Sequence, residues 1–325
     1  MKKICLALVF VFLCVVSTFS ISACNFLHNS EKPSIVCTTY SLFDWVNNIL
    51  GDEKSNFEVT YLMKSGVDMH SFESTASTDD FIKISTCDMI VFVGGESDQW
   101  LENALSHKMN SNMQVVNLLQ ILGDNAKQEE QTEGMQPNGD EEEPELDEHV
   151  WLSLKNAKVF CNAICQSLCK LKPSCSQQFE QNNTQYTQQI DLLDAKFEQD
   201  LQNCELSTIL VADRFPFRYL VDDYRLSYFA AFAGCSAETD ASFETVVFLS
   251  QKIDELSLAH IFVLEGSNRQ TANAVVQNSS AKNAQILTLN SIQSINLAQI
   301  ASGTTYLNLM EQNLEQLKIA LKWEE

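Results

Sequence analysis

Asp88-Met89-Ile90-Val91-Phe92-Val93-Gly94-Gly95 is the stretch that decides the fold. Its apolar, partly β-branched run has the length of a strand buried on both faces, and the glycine pair stops it. Such strands belong to parallel sheets covered by helices, and the flanking sequence alternates accordingly. Before it, Ser34 to Tyr40 and Phe57 to Met63 predict strands, with helices over Leu42 to Leu50 and Thr78 to Ser85. After it come a helix over Trp100 to His107 and a strand over Met113 to Leu118. The rhythm returns in the second half. Thr208 to Ala212, Ser227 to Phe232, His260 to Leu264 and Ala284 to Leu289 predict strands. Helices are expected over Phe217 to Tyr224, Phe243 to Leu256, Thr271 to Asn278 and, at the end, Leu297 to Lys322. Gly66 to Gly94 and Gly234 to Gly266 both run loop, helix, apolar strand, glycine.

Between the halves, helical sequence covers Lys155 to Leu171, Pro173 interrupts it, and a second helix is expected from Cys175 to Cys204. That helix places Phe179, Tyr186, Ile190, Leu193 and Phe197 at helical spacing, and thirty residues of helix span about 45 Å. The chain reads as α/β: two similar lobes with parallel-type sheets, residues 34–174 and 205–325, joined by a long rigid α-helix over 175–204. Ligands of such sheets bind beyond the carboxyl ends of the strands, so facing lobes enclose a cleft.

Outside the lobes, Lys2 and Lys3 precede an apolar run from Ile4 to Val16 and a small-residue region, the pattern of a signal peptide over 1–23. Ile21-Ser22-Ala23-Cys24 resembles a bacterial lipobox, which implies lipidation of Cys24 and a polar tether over 24–33. The formal charge of -22 argues against a nucleic-acid partner, which would select a basic patch. Gly123 to Glu148 holds eleven Asp or Glu against one Lys and is expected to be a mobile acidic loop. Cys161, Cys165 and Cys169 share a helix face, as buried small hydrophobes do.

His70, in a strand-end loop, and His149, where the acidic loop re-enters structure, are two of five histidines and have carboxylates beside them: Asp68 and Glu73 for one, Asp147 and Glu148 for the other. Imidazoles with one or two carboxylates suit zinc, or manganese where oxygens dominate. The flanking carboxylates would take the second ring N–H and fix the tautomer. Other strand ends offer Glu96, Asp213, Glu238, Asp240, Glu265 and Asn290. No HExxH, GxSxG or phosphate-binding glycine loop follows a strand, and the chain is not expected to be an enzyme.

Gly66-Val67-Asp68-Met69-His70-Ser71-Phe72-Glu73 and Asp147-Glu148-His149-Val150-Trp151, after a lipobox, resemble the two histidine motifs of the zinc- or manganese-binding solute-binding lipoproteins of bacterial ABC transporters. The resemblance spans roughly residues 34 to 322. It implies a metal held between two lobes, small lobe motion on release, delivery to a membrane permease, and anchorage as a monomer at the cell surface or periplasmic face. The family's third ligand falls on Arg214 when counted back from Tyr219, and on Asp213 with one extra residue in the turn; Asp213 is the expectation, since a guanidinium cannot ligate. The fourth falls near Asn290, for which Glu238, Asp240 or Glu265 could substitute, Glu238 being preferred. The expected set is therefore His70, His149, Asp213 and Glu238 around Zn2+, alternatively Mn2+, with Glu73 and Asp147 behind the imidazoles. The competing reading is a surface adhesin on the same scaffold with a degenerate site.

Overall fold

The computed structural model describes residues 32–66, 68–72, 76–136, 145–235 and 241–324. Residues 1–31 with Cys24, and Glu73, Glu238 and Asp240, lie outside them.

Two four-stranded parallel sheets organise the chain. The first comprises β1 (Ser34–Cys37), β2 (Glu58–Tyr61), β3 (Met89–Phe92) and β4 (Gln114–Asn117), in the order β2-β1-β3-β4. The second comprises β5 (Thr208–Phe215), β6 (Ser227–Ala233), β7 (His260–Leu264) and β8 (Gln285–Leu289), in the order β6-β5-β7-β8. The orders are identical under the substitution of β5 for β1 and so on, so the internal repeat seen in sequence is a repeat of topology. In each sheet the strand order reverses beside the first strand, where α/β sheets open a crevice. All of β3 is buried, as its unbroken apolar sequence requires.

Helices cover the sheets. Residues Tyr40–Leu50 form α1, Thr78–Thr86 α2, Gln99–Ser106 α3, Leu118–Leu122 α4 and Leu154–Leu171 α5. The linking helix α6 runs Ser176–Gln202, 27 residues and hence about 40 Å, and buries Phe179, Tyr186, Ile190, Leu193 and Phe197 as expected. The second lobe adds α7 (Arg218–Tyr224), α8 (Phe243–Leu256), α9 (Gln270–Asn278), α10 (Leu297–Ala301) and α11 (Tyr306–Leu321).

Three local expectations are corrected. The first strand stops at Cys37, because Thr39 takes up the extended N-cap position of α1. The closing helix is two helices, because Asn296 caps α10, Ser302-Gly303-Thr304 leaves the helical path, and the Thr305 side chain caps α11 by accepting from Asn308 N. The described part of the acidic loop is not free. Gln136 N donates to Ala231 O at 2.9 Å, Arg218 pairs with Glu130 at 3.2 Å, and Lys127 pairs with Asp222 at 2.6 Å, so the loop is laced to the second lobe.

One continuous apolar cluster runs from Ile35 through Trp151 and Phe197 to Leu321, so the lobes share a core; a smaller cluster fills the outer face of the second sheet. Polar ties cross between lobes as well. Tyr61 Oη donates to Ile295 O at 2.8 Å, Trp151 Nε1 to Ser291 O at 2.9 Å, and Tyr306 Oη to Trp151 O at 2.6 Å. Among the described residues no helix is long and apolar enough to cross a membrane.

Candidate metal centre

His70 follows β2 on a single 3-10 turn, Met69–Ser71. Asp68 caps that turn by accepting from His70 N at 3.1 Å, and buried Met69 pins it to the core. The His70 ring meets Ser97 Oγ through Nδ1 at 2.7 Å. Ser97 lies just after Gly94-Gly95, so the stop at the end of β3 supplies the partner. Its own N–H donates to Glu148 Oε1 at 2.9 Å. Gly95, at φ 87, makes room: a Cβ there would fall 2.2 Å from Glu148 Oε1. Glu96, a candidate from sequence, is exposed instead.

His149 is fully buried, tethered by the apolar turn Val150–Leu152 that follows it. Asp147 Oδ1 accepts from His149 N at 2.8 Å and from the ring Nδ1 at 3.0 Å. With both rings neutral and Nδ1 of each as the donor, both Nε2 lone pairs point into the same space; a proton on His149 Nε2 is instead accepted by Gln293, so metal and proton compete for that nitrogen. The two Nε2 atoms are 3.4 Å apart. Two lone pairs so placed repel unless a cation lies between them. Tetrahedral zinc with Zn–N bonds of about 2.0–2.1 Å requires its two nitrogens about 3.4 Å apart.

A proton is the alternative cation. Burial pulls His149 down, but the charge and hydrogen bond of Asp147, with Glu148 beyond, outweigh it and hold the imidazole above its ordinary value. His70 is pushed down to about 3, first by burial and then by the charges of His149 and Arg214, against the pull of Asp68. The pair therefore accommodates one positive charge and not two. Gln293 completes the arrangement. In the amide orientation that satisfies its neighbours, its nitrogen donates to the Asp68 oxygens at 2.9 and 3.1 Å, and its oxygen accepts from His149 Nε2.

The third residue brought to this point is one the sequence reading passed over. One nitrogen of His70, one of His149 and Cys235 Sγ all lie within 4.8 Å of one another. Cys235 follows β6, which is the second lobe's counterpart of the β2 loop that carries His70. Gly234 lets the strand end abut His149, since a Cβ there would meet the ring Cε1 at 3.0 Å.

Asp213 is not in that group. Its oxygens accept from Arg214 N at 2.9 Å and Leu264 N at 3.3 Å, joining the ends of β5 and β7. The register shift in β5 between Val211 and Arg214 turns Arg214 toward the first lobe, where Nη2 donates to Asp68 Oδ2 at 2.8 Å. Asp68 thus serves Arg214 rather than the second nitrogen of His70. Glu265 is held by Ser291 through bonds of 2.8 and 2.5 Å, and Asn290 Oδ1 accepts from Ile292 N at 2.8 Å as a turn cap. A cavity of about 530 Å³ opens beside the histidines, lined by Asp68, Asp213, Arg214, Cys235 and Glu265. Three carboxylates against one guanidinium favour a cation there.

The family model described as the periplasmic zinc-uptake complex component A matches residues 35–320. The chain belongs to this zinc-uptake family. The zinc-binding lipoprotein AdcA of Streptococcus pneumoniae is 26% identical over 98% of this chain, which spans only 61% of that relative. The chain thus covers about three-fifths of the first curated relatives. The manganese ABC transporter substrate-binding lipoprotein PsaA of the same species is 25% identical over 98% of both chains. The periplasmic zinc-binding protein TroA of Treponema pallidum superposes with a TM-score of 0.73 at 25% identity, covering 89% of this chain and 99% of that one. The two-lobe architecture with a long connecting helix is the fold of this family.

Proposed function

We propose that this member of the zinc-uptake family is the extracytoplasmic solute-binding component of a metal ABC importer. It captures Zn2+, with Mn2+ the alternative, and passes it to a membrane permease, acting as a monomer anchored through lipid on Cys24. The observation that carries the reading is the pair of Nε2 atoms 3.4 Å apart on rings fixed from behind by Ser97 and Asp147. The shared core and the polar ties across the lobes support release by small movement rather than by wide opening.

Deleting the gene from its host should impair growth under zinc chelation. The wild-type gene should restore it, and a gene carrying His70→Ala and His149→Ala should not. Equal rescue by both genes would overturn the proposal. Arg214 and Asn290, at the positions where the family resemblance places the third and fourth ligands, favour the second reading, a surface adhesin with a degenerate site. That reading requires growth under chelation to be unaffected by the deletion and adhesion to be lost.

A further inference from the structure

We propose that Cys235 is the third protein ligand of the metal, giving a two-histidine, one-thiolate centre that selects zinc over manganese. The inference rests on the metal-binding reading above and deepens it.

Three independent features of the cleft converge on Cys235. First, the position where the family's third ligand falls by count from Tyr219 holds Arg214, and the structure commits that guanidinium to Asp68 at 2.8 Å. The alternative, Asp213, is committed to backbone amides at the ends of β5 and β7. Arg214 cannot ligate, and Asp213 lies outside the group that the two imidazoles form with Cys235. Second, Cys235 Sγ and one nitrogen from each imidazole lie within 4.8 Å of one another. Tetrahedral zinc asks for about 3.5 Å between a thiolate sulfur and an imidazole nitrogen, given Zn–S near 2.3 Å and Zn–N near 2.0 Å. That bound exceeds the bonded spacing, so ligation requires the cysteine side chain to move toward the imidazoles. Third, the Cys235 backbone is itself fixed. Its N–H donates to Glu129 Oε1 at 2.7 Å, so the acidic loop holds the end of β6 against the cleft.

The repeat gives this arrangement a simple logic. In each lobe the loop after the second strand carries a ligand, His70 after β2 and Cys235 after β6. Cys235 lines the same cavity as His70, together with Asp213 and Glu265. Binding replaces the thiol proton: M2+ and the Cys235 S–H become an M–S bond and a proton released to solvent. A thiolate is a soft ligand, suited to zinc and cobalt and poorly suited to manganese, which prefers oxygen.

The test is a titration of the reduced chain with Co2+, a spectroscopic stand-in for zinc. Wild type should develop a thiolate-to-cobalt charge-transfer band in the near ultraviolet at one equivalent. Cys235→Ser should lose that band while the other cysteines remain, and should bind zinc at least about tenfold more weakly. Cys235→His should regain zinc affinity without the band, which excludes a folding defect as the cause. Wild type should also bind zinc at least about a hundredfold more tightly than manganese, the order expected from ligand softness. Cobalt bound without a charge-transfer band, or a band that survives in Cys235→Ser, would overturn the thiolate and leave the two-histidine reading standing. A chain that binds no cobalt at all would overturn both.

Discussion

A single methyl group at Gly95 would put a carbon 2.2 Å from Glu148 Oε1 and force a side chain to φ 87. Glu148 is buried, and its Oε2 is 3.7 Å from His70 Nδ1. Gly95→Ala is therefore expected to cost about 1–3 kcal/mol of stability from backbone strain and to weaken zinc binding by displacing Ser97 and His70. Unfolding and zinc titration of the purified variant check both effects, and unchanged affinity would contradict the packing account. Behind the other ring, Asp147→Ala removes the acceptor that fixes His149, and zinc affinity should fall about 10–100-fold with the fold intact. Calorimetric titration measures it. His70 and His149 were legible because each sits in a short motif with its own carboxylates. Cys235 was not, because its meaning comes from the partner loop across the cleft and from the commitment of Arg214 to Asp68, neither of which leaves a local pattern. The one sequence signal able to find it is a comparison of the two repeats at the loop after the second strand, where His70 and Cys235 take corresponding places.

Among the elements, α6 is the part that sequence periodicity described best, since its buried positions recur at helical spacing. Phe197 on this helix stacks on Tyr224 of α7 at 4.9 Å and is completely buried. Phe197→Ala should cost about 3–5 kcal/mol in denaturant unfolding while leaving zinc affinity of the folded chain unchanged. Where α6 meets α1, Tyr186 Oη donates to Asp44 Oδ2 at 2.9 Å. Burial raises the Asp44 carboxyl to about 6, against the hydrogen bonds of Tyr186 and Tyr40. The folded chain keeps this proton until about pH 6, whereas the unfolded chain releases it near pH 4. The associated stability is fully present below about pH 4 and is lost as pH rises to about 6, amounting to about 2–3 kcal/mol. Asp44→Asn should flatten the dependence of Tm on pH in that window and raise Tm at pH 7 relative to wild type. An unaltered slope by scanning calorimetry would contradict it. The split between α10 and α11 escaped the sequence reading because Leu297, Ile300 and Leu307 continue an apolar helical pattern across caps at Asn296 and Thr305.

For the whole molecule, the topology was legible because β3 and β7 are apolar runs ended by glycine in matching contexts, and both sheets follow from them. The course of the acidic loop was not. Its composition reads as solvated chain, yet its described part reaches Cys235, Ala231 and Arg218 in the second lobe. Because the lobes share a core, metal bound between them should stabilise the chain as a unit. Zinc at a hundred times its Kd should add about 2.7 kcal/mol, raising Tm in a single cooperative transition that a chelator reverses. The most direct test of the central claim is the zinc stoichiometry of the purified chain, by equilibrium titration, beside the same chain carrying His70→Ala and His149→Ala. One tightly bound zinc per wild-type chain and no stoichiometric binding in the double variant are expected; equal, stoichiometric binding in both would rule out the two histidines as the metal ligands.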